Sequence, residues 1–245
     1  MKKVYSIISK SIFLVISLVS IILTCLYSPT FFSGFSLYAS LINLVAFGFM
    51  LSILIMEMRN KFYQTNLFHT FRGILLVGLF SMFFIYYFII SWNETNFNFF
   101  NLANIFAKIL SPFVFFLDYI FFDKKQEFKI AEISAFLLAP VFYVIFVFIS
   151  ALLGGTFYVN FNALDFSKFP YFFLNVDLIG LDKVCFWMLG IGAGILALSL
   201  VLIGIDQLMP KYIAWLKASP EERKNKRYIK PKTAEVSMGL PTDEE

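Results

Sequence analysis

Cysteine and histidine are almost missing from this chain: 245 residues hold two Cys and one His. Two thiols, Cys25 and Cys185, make no disulfide framework, and His69 alone leaves no cluster at metal-ligand spacing. Charge is scarce too, at 15% of residues, which excludes a polar disordered chain and leaves little polar surface for a soluble domain. The alternating β and α segments of a soluble nucleotide enzyme are absent as well. Gly190, Gly192 and Gly194 follow no strand, so they read as a helix-packing surface rather than a phosphate loop. What abounds is apolar side chain: 60% of residues are hydrophobic, 34 are Phe, and the mean hydropathy is +0.79. Such a chain belongs in a membrane.

A helix crossing about 30 Å of hydrocarbon needs roughly 20 apolar residues. Six such runs occur, near 11–28, 35–56, 73–91, 103–122, 135–153 and 184–206. The first leads into the second without a small-residue cleavage pattern and reads as a retained anchor. The expectation is an all-α polytopic bundle of six transmembrane helices over 1–210, followed by a basic, disordered tail over 211–245. Seventeen of the 20 Lys and Arg flank these runs on one side, with Lys168 and Lys183 opposite and Lys108 inside the fourth run. Positive flanks stay in the cytoplasm, so both termini are expected there. The Phe, Ile, Asn and Lys bias suggests a bacterial plasma membrane, which makes the Asn93-Glu94-Thr95 glycosylation match accidental.

Strongly polar groups at membrane depth are costly, and so they are the first candidates for function. They are Asn43, Lys108, Asp118 and Asp206, with Ser36 at the outer start of the second run. Lys108 and Asp118 lie ten residues apart, about 15 Å of helix rise, and cannot pair with each other. Asp118 is expected to act structurally, as a partner for Arg72. Lys108 either snorkels outward along its apolar stem or lies near Ser36, whose depth is comparable. The loop from Gly154 to Lys183, rich in aromatics that include Tyr171, covers the bundle as an interfacial belt. Pro112 and Pro140 interrupt two spans, where a kink opens space.

Several segments in order, from about residue 31 to 206, resemble the bacterial Pr-six-Pr membrane proteins. That six-helix family is similar to the androgen-induced protein and the androgen-dependent TFPI-regulating protein. The segments are FFSGFSLYASLINL, FRGILLVGLFSMFF, SPFVFFLDYIFF, APVFYVIFVFISALLGG and FPYFFLN, closed by Asp206. The resemblance implies an integral membrane protein and, from the eukaryotic members, hydrolysis of fatty acid esters of hydroxy fatty acids by a Thr nucleophile and a His. Ser36 falls at the Thr position and Lys108 at the His position, with Ala107 as the alternative register. Asn175 stands where the family has Asp, and Phe172 where it often has a second Pro.

A Ser hydroxyl needs a base, and a desolvated Lys can serve as one. The enzymatic expectation is thus an acyl-ester hydrolase with Ser36 as nucleophile and Lys108 as base, and with Asn43, Asp118, Tyr171 and Asn175 as binding candidates. The competing expectation is a non-enzymatic ligand-binding or transport subunit, or a degenerate structural member of the family. In the binding case Asn43, Lys108 and the aromatic loop form a pocket for an amphipathic or anionic ligand. Either way membrane lipid is the expected partner and an amphipathic acyl compound the substrate class. No metal, cofactor or nucleic acid is expected.

Overall fold

Runs of Leu, Ile, Val and Phe satisfy their backbone groups in hydrocarbon as helices, because no water is there to replace a lost hydrogen bond. The structure, a computed structural model, describes residues 2–28, 31–61, 64–91, 100–160 and 165–217. The Asn93-Glu94-Thr95 match and the tail beyond 217 lie outside the described residues.

Among the described residues, six helices are long and apolar enough to cross a membrane. They are α1 (Lys2–Leu26), α2 (Tyr38–Met58), α3 (Asn66–Ile90), α4 (Leu102–Phe122), α5 (Ile130–Leu152) and α6 (Leu181–Lys217). Three of them outrun the hydrophobic runs that announced them by seven residues or more. α1 starts at Lys2 rather than near 11. α3 starts at Asn66 because Thr65 caps it, its side chain accepting from the Phe68 N–H at 3.3 Å. α6 continues through Pro210 to Lys217. Hydropathy marks only the part of a helix that hydrocarbon requires, and nothing at the polar boundary stops the helix from continuing.

α3 is the central helix, with 50% of its apolar window buried against 17% for α5. It packs on α2, α4, α5 and α6, while α1 packs on α2 and α4. Gly73 permits one of these approaches, since a Cβ there would collide with the Phe136 ring of α5. Gly78 permits another, because its Cβ would lie 2.8 Å from Ile42 of α2. Outward-facing Leu152, Phe186 and Leu189 are 86%, 77% and 75% exposed, which suits a surface solvated by lipid.

Two helices change pitch. α3 ends in a π-helical segment, Ile85–Ile90, and α4 carries another, Ile105–Leu110, just before Pro112. Wide turns of this kind are rare and concentrate at functional sites. The α5–α6 connection is more ordered than an interfacial loop. It forms a small antiparallel hairpin of β1 (Phe157–Asn160) and β2 (Asp165–Ser167), then a 3-10 turn, Phe172–Leu174, and a short helix, Val176–Ile179.

Lys3 of α1 donates to Asn60 just after α2, and Asp206 of α6 accepts from Tyr119 and Phe128 at the α4–α5 turn. The first and last helices therefore share an end of the bundle, called the charged end below.

Candidate ligand site

At the opposite end, beneath the α5–α6 connection, lies a cavity of about 160 Å³. Its walls are apolar apart from Lys108 of α4 and four tyrosines: Tyr38 of α2, Tyr86 of α3, Tyr143 of α5 and Tyr171 of the connection.

Lys108 sits on the π-helical segment of α4, four residues before Pro112, which has no N–H to offer the preceding turn. Asn43 repairs the break from α2. Its Nδ2 donates to the Ala107 carbonyl at 3.2 Å and to the Ala39 carbonyl at 2.7 Å, and its Oδ1 accepts from Ser111 Oγ. The fully buried Asn43 thus fixes the turn that carries Lys108 from outside the cavity. The ammonium donates to Asn104 Oδ1 at 2.7 Å and lies over the Tyr86 ring.

The tyrosines differ in how their hydroxyls are satisfied. Tyr38 Oη donates to the Gly78 carbonyl at 3.2 Å and lies 3.2 Å from Ser81 Oγ. The Tyr143 ring packs 4.9 Å from that of Tyr38 and 6.2 Å from that of Tyr171. Tyr143 is only 8% exposed, and its hydroxyl lies near Tyr171 and the Tyr38 backbone without a well-aligned hydrogen bond to either. A buried hydroxyl left unsatisfied costs about 1–3 kcal/mol, so this group is primed for an acceptor brought by a ligand.

The residues singled out from sequence divide as follows. Lys108 and Tyr171 line the cavity, and Asn43 stands behind its wall. Ser36 lies in the bend between the Phe31–Phe35 turn of helix and α2, donates to the Ser33 carbonyl at 3.0 Å and does not line the cavity. No hydrogen bond joins Ser36 to Lys108. Asn175 caps the Val176–Ile179 helix, accepting from the Leu178 N–H at 3.1 Å, and donates to Ser167 Oγ at 3.3 Å, so it braces the cover of the site. Tyr38, Tyr86 and Tyr143 were not singled out. The available signal was a phenol at membrane depth, whose polar tip needs a partner.

Asp118 lies at the charged end, in a chain of ion pairs across four helices. Its Oδ2 is 2.7 Å from Arg72 Nη2, and its Oδ1 is 3.4 Å from Lys10 Nζ. Lys10 also meets Glu57 at 3.3 Å and Ser6 at 2.6 Å. Arg72 Nε lies 3.0 Å from Asp123 Oδ2, a charge contact whose N–H misses hydrogen-bond alignment. The Arg72 guanidinium also covers the Phe115 ring at 4.0 Å. Three acids thus face two cations. Burial pushes the Asp123 carboxyl above the usual carboxylate range while Arg72 opposes it. Nearby, burial lowers Lys125 to about 8, its ammonium donating to the Tyr119 carbonyl. Buried, interlocked charge of this kind fixes helix register, while the cavity at the other end offers space to a ligand. No family model matches the chain, and neither a curated protein nor a solved structure is similar to it.

Proposed function

We propose that this chain is a multi-pass protein of a bacterial plasma membrane, both ends cytoplasmic, that binds an amphipathic acyl ligand in its cavity. The placement of Lys and Arg favours a cytoplasmic charged end and a cavity toward the outer leaflet. The observation that carries the binding reading is a buried Tyr143 hydroxyl, without a well-aligned hydrogen bond, in a cavity that Lys108 also lines. One ammonium and one hydroxyl donor among apolar walls suit a carboxylate or ester head bearing a hydrocarbon chain. The resemblance to the Pr-six-Pr proteins favours the same acyl class.

Acyl-ester hydrolysis at Ser36 is the second reading, favoured by that resemblance. It requires the hydroxyl to leave the Ser33 carbonyl and swing into reach of the Lys108 amine. Purified protein in nanodiscs should bind radiolabelled palmitate saturably, and Lys108→Ala and Tyr143→Phe should each weaken that binding. Absence of saturable binding overturns the binding reading. Turnover of p-nitrophenyl palmitate that disappears in Ser36→Ala would establish the hydrolase instead.

A further inference from the structure

The cavity holds only the head of an acyl ligand. A cavity of about 150 Å³ holds a molecule the size of benzene. At about 160 Å³, this one takes a carboxylate and a few methylenes. The rest of the chain must lie elsewhere.

A groove of about 580 Å³ between α3 and α6 adjoins the cavity, and the two share Ile85, Ile191 and Ile195 as a common wall. Ile85 opens the π-helical segment of α3, and Gly190 and Gly194 line the groove from α6. Where a Cβ would stand on either glycine there is open space. The groove is almost wholly apolar and lies along two membrane-spanning helices. A second groove, between α2, α3 and α5, also reaches the cavity, but Tyr38 and Tyr143 form its shared wall, with their rings packed together at 4.9 Å. On the α3–α6 side only aliphatic side chains separate groove from cavity.

We propose that the α3–α6 groove is the chain subsite: a single-chain acyl ligand enters sideways from the bilayer, with its head at Lys108 and Tyr143 and its tail along Gly190 and Gly194. This rests on the binding reading above and adds to it the route of the ligand's tail.

Wild-type protein in nanodiscs is photolabelled with palmitate bearing a diazirine near its methyl end, and the labelled peptides are identified by mass spectrometry. Label displaced by excess palmitate should fall on the 84–89 and 186–201 segments. Gly194→Phe should slow palmitate association about tenfold, while Gly204→Phe, also in open space but outside the groove, should leave it unchanged. Saturable binding with label on Val45, Phe142 or Phe146 overturns the groove and leaves the binding reading standing. So does an association rate in Gly194→Phe equal to wild type. No saturable binding at all overturns both.

Discussion

Arg72 Nη2 rests 2.7 Å from Asp118 Oδ2, both side chains wholly buried, and this contact joins α3 to α4 at the charged end. Removing one partner strands the other. Arg72→Met should cost about 3–5 kcal/mol, because Asp118 and Asp123 both lose their nearest cation. Arg72→Met combined with Asp118→Leu should cost clearly less than the sum of the two single changes. Denaturant unfolding in micelles measures both, and an additive result would show that the pair is not coupled.

Tyr143→Phe separates stability from function. The lost hydroxyl makes no well-aligned hydrogen bond, so the variant should be about as stable as wild type. Its affinity for palmitate should nonetheless fall about tenfold, as expected for one hydrogen bond to a charged head. A variant that binds palmitate as tightly as wild type would remove the hydroxyl from the site.

Asn43→Ala takes away the groups that tie α2 to the π-helical turn of α4. A loss of about 1–3 kcal/mol is expected from the stranded Ala107 carbonyl and Ser111 hydroxyl. Palmitate affinity should drop as well, although Asn43 does not line the cavity. Calorimetric unfolding beside a binding titration tests the pair of effects, and unchanged affinity would confine Asn43 to stability.

Lys125 gives a pH signature. Burial lowers it from 10.5 to about 8, so the folded protein binds fewer protons than the unfolded chain between those values. Stability contributed at this site therefore rises with pH from about 8 to 10.5, and the full cost of the buried ammonium is felt below that window. Lys125→Met should be more stable than wild type at pH 7, with the advantage shrinking toward pH 10. Melting curves across that range test it, and a constant offset would assign the effect to packing.

Gly73→Leu should destabilise by about 1–3 kcal/mol, since even a Cβ meets the Phe136 ring. Gly190→Leu, facing open space, should not. Equal melting temperatures for the two variants would contradict the close approach of α3 and α5.

The six helices were legible because hydrocarbon imposes a length and a composition, and both are written in the sequence. The Asp118–Arg72 pair was legible too, since both residues stand at the same boundary on consecutive helices. Lys10 was not. It looked like a flank of a run beginning at 11, whereas α1 starts at Lys2 and carries Lys10 two turns inward, to full burial. Ser36 and Lys108 were expected at comparable depths, but depth leaves direction around the helix open, and the bend after Phe35 turns the Ser36 hydroxyl onto its own chain. Tyr143 hid among phenylalanines, because its lack of a well-aligned hydrogen bond is a property of the packed bundle rather than of its neighbours in sequence.

The order of the buried charges bears on how the protein is made. Lys10 and Arg72 precede Asp118 and Asp123 in the chain. The cations of the first and third helices are therefore synthesised before the carboxylates that they meet. A permuted chain that delivered α4 first would present Asp118 before either cation that it meets in the folded bundle.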